Sequence, residues 1–450
     1  DWIVYPLHFI LHGSMFYQKL LIKFLNNMQK PIKKTLKNGL RVITVPMKDN
    51  PTVTVLVLVG TGSDYEENKV NGISHFLEHM CFKGTVKRPN AQAISHELDA
   101  LGCQYNAFTD HEMTGYYAKS DAENFKKVFD VVSDIYLNST FPEAEIEKEK
   151  GVIVEEINMY EDMPARHVVD LFQEVLYGDQ PAGRNIAGTK DRVRAMTRND
   201  FVKYKKEHYV AKGTVIVVCG SVTKGEVDKE VAKHFSNVPT GQKGKKVKTK
   251  DAQTKPKAFV KYKDTDQTHF VLGVRSFPLF DKRNYQLLLL GAVLGAGMSS
   301  RLFIKLRDEM GVAYYVRAYN DTSIDHGSFQ ISAGVNNART EEVIKEILKE
   351  CTMLVKEKVT DRELTKVKSF LVGNMKLSLE ATDDVANFYG MQELMRRDVK
   401  TLDEKIKAIM KVTPGDIQKI AQTIFKNKNL NLALIGPYKE SSKLQKILTF

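Results

Sequence analysis

The pattern of apolar and polar residues predicts that strands and helices alternate over most of the chain. Residues 40–46 and 53–60 alternate or run apolar with many β-branched residues, and residues 214–220 form a β-branched run typical of a buried strand. Further strands are predicted at residues 104–108 and 114–119. A chain that mixes such strands with helices belongs to the α+β class.

Helical periodicity predicts a helix that begins at Asn71 as its N-cap and stops at Gly84. The other helices predicted in this half cover residues 91–101, 121–138 and 143–163. The last of them is charged on one side and ends before Pro164, as expected of an exposed helix that meets a proline.

Residues 239–257 contain prolines, glycines and a run of lysines with almost no apolar residue. This composition predicts a solvated linker that acts as a hinge between residues 28–238 and residues 258–450. Both halves show a similar order of elements, because Gly102 and Gly115 recur as Gly311 and Gly327 at offsets of 209 and 212. We therefore predict two homologous α+β domains.

The net charge of +12 is concentrated in two segments of the chain. Residues 1–40 contain six lysines and one acid, and residues 241–257 contain seven lysines and one acid. The rest of the chain is nearly neutral, which argues against a nucleic-acid-binding face. A basic nucleic-acid or membrane-surface binder built on these two lysine clusters stays an alternative.

Four scattered cysteines favour a reducing compartment over a disulfide framework, so a cytoplasmic location is expected. No window holds the roughly 18 apolar residues that a membrane span needs. Residues 1–27 are treated as a leader segment. Four interpretations of this segment stay open: a cloning remnant, an upstream read-through before Met15 or Met28, a helix packed on the rest of the protein, or a weak basic amphipathic helix.

The predicted helix after Asn71 contains the sequence HFLEH at residues 75–79. His75 and His79 are four residues apart and lie on one helix face, so both imidazoles can bind one metal ion. Glu78 is placed to face a metal-bound water without being a ligand. The order H-x-x-E-H is the inversion of a common zinc-protease motif.

A catalytic zinc site of this type needs a third protein ligand. The helix predicted over residues 143–163 offers Glu149, Glu155 and Glu156. Glu149 and Glu156 are seven residues apart and share a face, whereas Glu155 points about 100° away toward solvent. Two carboxylates on one face are usually a solvated stripe, but opposite a zinc motif they favour a ligand and a supporting carboxylate.

These segments resemble the pitrilysin and mitochondrial processing peptidase superfamily of inverted-motif zinc peptidases, in its bacterial-type two-domain form. The resemblance covers about residues 36–437 and is carried by four segments: HFLEHMCFKGT (75–85), NAFTDHEMTGYY (106–117), EKGVIVEEINMYEDMP (149–164) and SRLFIKLRDEMGVAYYV (300–316). In the family about 76 residues separate the second histidine from the third ligand, and this spacing selects Glu156. The acid seven residues earlier, Glu149, supports the site.

The resemblance also implies roles outside the metal site. Asn106 corresponds to a residue that hydrogen-bonds the substrate backbone, and Arg307 and Tyr314 correspond to donors from the second domain to the substrate carbonyl. The helix predicted over residues 284–302 has no metal motif, so the second half shapes the site. Each half is expected to be a mainly antiparallel sheet covered by helices, and the pair to form half of a clamshell chamber.

The expected function is that of a zinc-dependent endopeptidase, with one Zn²⁺ per chain, that hydrolyses unfolded peptides or short polypeptides. Glu78 is the expected base that activates the zinc-bound water. The expected partners are peptide substrates and a second copy of the chain or a related chain. The main alternative is a non-catalytic family member that acts as a structural or partner subunit.

Overall fold

The computed structural model describes residues 30–396 and 398–450, so the leader predicted at residues 1–27 lies outside the described part. The strands of the first sheet are β1 (Ile32–Thr35), β2 (Arg41–Pro46), β3 (Thr52–Val59), β4 (Gln104–Thr109), β5 (Thr114–Asp121) and β6 (Thr214–Gly220). They lie in the order β1-β2-β6-β3-β5-β4, so β1 and β4 are the edge strands.

The helices predicted over residues 71–84, 91–101, 121–138 and 143–163 are present as the first four helices of this half, within a few residues of the predicted ends, whereas the four helices that follow them were not predicted. The helices of this half are α1 (Ile73–Cys81), α2 (Ala91–Ala100), α3 (Phe125–Leu137), α4 (Glu143–Glu161), α5 (Pro164–Tyr177), α6 (Lys190–Ala195), α7 (Arg198–His208) and α8 (Lys224–Phe235).

The second sheet is built from strands of the second half. They are β7 (Lys257–Tyr262), β8 (Gln267–Arg275), β9 (Ala313–Thr322), β10 (Gly327–Asn336) and β11 (Leu430–Gly436), in the order β7-β11-β8-β10-β9. Its helices are α9 (Asn284–Gly295), α10 (Arg301–Phe303), α11 (Thr340–Lys356), α12 (Asp361–Leu377), α13 (Thr382–Met395), α14 (Leu402–Met410), α15 (Pro414–Ile424) and α16 (Ser442–Ile447).

One predicted helix is interrupted. The continuous helix expected over residues 284–302 ends at Gly295, because Ala296 is extended and Gly297 follows it with a φ of 78°. The chain becomes helical again at Arg301 and continues as a π-helix over Ile304–Glu309.

The two sheets repeat one topology. In the first, β2 and β6 pair in parallel while the other neighbours are antiparallel, and β7 and β11 are the matching parallel pair in the second. This repetition confirms the predicted α+β fold of two homologous halves with mainly antiparallel sheets.

The central strands are buried on both faces. Val53, Val55 and Val57 of β3 point into the core beneath α1 and α3, whereas Leu56 and Leu58 point into a separate core on the opposite face. Burial of both faces explains the continuous apolar run that the sequence shows here.

The halves exchange helices. Helix α13 of the second half covers the outer face of the first sheet, where Val385 and Tyr389 pack against Leu56 and Val217. Helix α5 of the first half covers the second sheet, where Phe172 lies in one core with Val271, Ala433 and Ile435. Each sheet therefore depends on the other half for one of its layers.

The lysine-rich segment between the halves has no helix or strand before β7, but it is not simply solvated. The ammonium of Lys246 lies 2.8 Å from Asp64, 2.5 Å from Glu112 and 2.7 Å from Asp325, and its side chain is only 9% exposed. The expectation of a solvated segment is therefore wrong at Lys246, because carboxylates from both halves enclose it.

None of the helices in residues 30–396 and 398–450 combines the length and the apolar character that a bilayer crossing requires.

Candidate metal centre

Helix α1 is fixed at its N-terminus by a buried carboxylate. Its N-cap is Gly72, with a φ of 102°, and a Cβ there would lie 2.6 Å from the carbonyl oxygen of Ala187. Glu66 accepts hydrogen bonds from the N–H groups of Gly72 and Ser74 at 2.7 and 2.8 Å and from the Asn71 side chain at 2.9 Å. The prediction that Asn71 is the N-cap is wrong. The N-cap is Gly72, and Glu66 accepts the hydrogen bonds from the N–H groups at this end of the helix.

Three side chains from α1 and α4 converge on one point. The Nε2 atoms of His75 and His79 lie 3.3 Å apart, and each lies 3.5 Å from Oε2 of Glu156. These atoms form the one cluster of potential metal-binding donors within 4.8 Å of each other in the described chain. The two histidines come from one face of α1, and Glu156 comes from the packed face of α4.

The size of this triangle fits zinc. Zinc bonds of about 2.0–2.1 Å at tetrahedral angles place neighbouring ligand atoms about 3.3–3.4 Å apart. The observed separations of 3.3, 3.5 and 3.5 Å match that spacing. Two imidazole nitrogens and one carboxylate oxygen are also a donor set used by catalytic zinc sites, which leave one coordination position open.

Glu149 orients His79 from behind. Its Oε1 accepts a hydrogen bond from Nδ1 of His79 at 2.9 Å, and its Oε2 lies 2.6 Å from the ammonium of Lys83. Burial disfavours the charged carboxylate, but His79 and Lys83 outweigh burial and lower the pKa of Glu149. Lys83 was missed by sequence reasoning, and it lies just beyond the C-terminal end of α1 at Cys81.

His75 and Glu156 stabilise each other's charged forms. The hydrogen bond with His75 is the main cause of the lowered pKa of Glu156, and Tyr160, one turn further along α4, lowers it further. Burial opposes the charged form of His75, but the hydrogen bond and charge of Glu156 outweigh it and raise the pKa of His75. The Nδ1 atom of His75 is buried and has no hydrogen-bond partner in the described chain.

Glu78 lies beside this cluster and is held by strand β4. The hydroxyl of Thr109 donates to Oε2 of Glu78 at 2.6 Å. Burial raises the pKa of Glu78, and the Thr109 hydrogen bond acts in the opposite direction. Sequence reasoning missed Thr109, although it lies in the segment NAFTDHEMTGYY (106–117).

The remaining predicted residues lie apart from the triangle. Asn106 is exposed on β4, and its side-chain oxygen accepts from the N–H of Ala107 at 2.8 Å. Arg307 donates to the carbonyl of Tyr314 at 2.9 Å, and the Tyr314 side chain is 69% exposed. Among the described residues, no hydrogen bond joins these three to the histidine cluster. Glu155 is exposed, as its helical position predicts.

Two family models match the chain, and together they span most of it. Residues 41–190 match the model described as insulinase, peptidase family M16, and residues 195–371 match the model described as peptidase M16 inactive domain. The chain therefore belongs to peptidase family M16.

Relatives from several bacteria are similar over nearly the full described length. The Bacillus subtilis protein named uncharacterized zinc protease YmxG is 36% identical over 406 residues, which is 90% of this chain and 97% of that protein. A Rickettsia felis protein named uncharacterized zinc protease is 34% identical over 403 residues, covering 89% of this chain and 96% of its own.

Solved structures show the same fold. A protease from Helicobacter pylori superposes with a TM-score of 0.86 at 26% identity. The match covers 91% of this chain and 100% of the Helicobacter chain. A Pseudomonas fluorescens structure described as peptidase M16 inactive domain gives a TM-score of 0.84 at 17% identity, covers 91% of this chain and 99% of its own, and supports the fold alone.

Proposed function

We propose that this chain is a zinc-dependent endopeptidase that hydrolyses peptide bonds in unfolded peptides or short polypeptides. The observation that carries the proposal is the triangle of His75, His79 and Glu156, whose ligand atoms are spaced as tetrahedral zinc requires. The family membership and the names of the relatives agree with this chemistry.

One zinc ion per chain fits the donor set, with His75, His79 and Glu156 as ligands and Glu149 as the carboxylate that fixes the ring of His79. When bound, zinc supplies a Lewis acid that polarises a peptide carbonyl and makes water more acidic. Cationic and hydrogen-bonding groups elsewhere in the chain complete the site.

Glu78 is the general base of the proposed reaction. Its carboxylate accepts a proton from the attacking water and returns it to the leaving amine as the peptide bond breaks. Asn106 holds the substrate backbone. Arg307 and Tyr314 donate hydrogen bonds to the carbonyl oxygen as negative charge develops on it, and the exposure of Tyr314 leaves its hydroxyl free to meet a substrate.

Arg307 and Tyr314 lie in the half that lacks metal ligands, so the substrate is expected to bind between the two halves. We propose a second copy of the chain as the partner that completes the enclosing chamber, or a related chain in its place. A non-catalytic role as a partner subunit predicts zinc binding without peptide hydrolysis.

The test is digestion of a random peptide library by the zinc-loaded protein with and without a chelator, read by mass spectrometry. We expect chelator-sensitive cleavage, and E78Q should retain zinc but lose about 10²–10⁴-fold in turnover. E155Q is the matched control, because it removes an exposed carboxylate from α4 and should leave both properties unchanged. Metal-loaded protein that cleaves no peptide would support the non-catalytic alternative.

A further inference from the structure

Glu78 has one side-chain anchor in the described part of the chain. The Thr109 hydroxyl donates to its Oε2 at 2.6 Å, and no other hydrogen bond or ion pair from residues 30–396 or 398–450 reaches the Glu78 carboxylate. A glutamate has three rotatable side-chain bonds, so a single short hydrogen bond decides where its oxygens lie. The second oxygen, Oε1, has no such partner.

The sheet fixes the position of Thr109. Thr109 is the last residue of β4 and pairs with Thr114 of β5 across the hairpin. It shares a side of the strand with Tyr105 and Ala107, which pack against the core beneath α1, while Phe108 faces the opposite core. The hydroxyl is therefore presented to α1 by a strand that is hydrogen-bonded to β5.

We propose that Thr109 is a positioning residue that holds one oxygen of Glu78 and leaves the other free to take the proton from water. This inference rests on the proposed function, because it assigns Thr109 a part only if Glu78 is the base. A hydroxyl suits this part because it donates a single hydrogen bond and brings no charge to the metal centre.

The test compares T109V, which keeps the β-branched shape without the hydroxyl, with T109S, which keeps the hydroxyl. In the zinc-loaded protein T109V should lower kcat by about 10- to 100-fold with KM and zinc content unchanged, because a misplaced base slows the chemical step and not substrate binding. T109S should recover most of the lost kcat. T35V is the control, since Thr35 is exposed at the end of the opposite edge strand β1.

The outcomes separate this inference from the proposed function. Three results would each overturn the role of Thr109 without affecting the proposed peptidase function. They are a wild-type kcat in T109V, an equal loss of kcat in T109S and T109V, and loss of zinc from T109V. Absence of chelator-sensitive cleavage by the wild-type protein would overturn both.

Discussion

The carboxylate of Glu149 accepts a hydrogen bond from Nδ1 of His79 at 2.9 Å, so the other ring nitrogen of His79 faces His75 and Glu156. The bond assigns the proton to Nδ1 and leaves a lone pair on Nε2, which is the form of imidazole that can bind a metal ion. The same carboxylate is paired with Lys83, which keeps it ionised.

E149Q should therefore weaken zinc binding by about 10- to 100-fold without removing a ligand. Titration against a chelating dye measures the affinity. E147Q is the control, because Glu147 lies two residues away on α4, is 70% exposed and pairs with Lys150 on the helix surface. Equal zinc affinity in E149Q and the wild-type protein would show that the hydrogen bond does not support the site.

E156Q removes a proposed ligand. It should therefore lower zinc affinity by more than the roughly 10- to 100-fold expected for E149Q, which removes only a carboxylate that supports a ligand. The neighbouring E155Q removes the same charge from the exposed side of α4 and should keep full zinc occupancy. Elemental analysis of the purified variants distinguishes the two. Full occupancy in E156Q would assign the third ligand elsewhere.

K246M should destabilise the protein, because Asp64 is fully buried and would lose its nearest cation. Removing one partner of a buried ion pair costs about 3–5 kcal/mol in the free energy of unfolding. Urea denaturation measures the loss. K245M, at an exposed position next to it, should change stability by less than about 0.5 kcal/mol.

Stability should also fall at alkaline pH through His111, whose Nδ1 lies 3.3 Å from Asp64. Burial opposes the charged ring, but Asp64, Asp110 and Asp321 outweigh it and raise the pKa of His111 to about 9. A histidine in the unfolded chain titrates near about 6.5. The stabilisation is therefore complete below about pH 6.5 and is lost as the pH rises through about 9.

Urea denaturation of the metal-free protein from pH 6 to 10 checks this expectation. Between pH 6 and pH 10 the free energy of unfolding of the wild-type protein should fall by about 1–3 kcal/mol more than that of H111Q. Lys246, the other cation at Asp64, has a raised pKa because Asp64 and Glu112 outweigh its burial, so it stays charged. H96Q, at an exposed histidine, should follow the wild-type curve, and parallel curves for wild type and H111Q would refute the assignment.

Local spacing carried the predictions that agree with the structure. The spacing of four from His75 to His79 and of seven from Glu149 to Glu156 fixes shared helix faces, and these faces meet in the structure. The β-branched run at residues 214–220 became β6 for a similarly local reason.

Contacts between distant segments could not be read from the sequence. Thr109 and Glu78 are 31 residues apart, and Lys246 and Glu112 are 134 apart, so no periodicity links either pair. A lysine in a polar run is normally solvated, and only the folded chain shows that acids of both halves surround this one. The break after Gly295 lies in the backbone conformations of Ala296 and Gly297, which an apolar pattern does not reveal.

The exchange of α5 and α13 sets the order in which the chain can mature on the ribosome. All strands of the first sheet have been synthesised by Gly220, but the helix that covers its outer face is completed only at Met395. During synthesis the first half must therefore carry an uncovered apolar sheet, and this is the surface that a chaperone would meet. A cut within residues 239–257 would leave the first sheet without α13 and the second sheet without α5 until the two fragments associated.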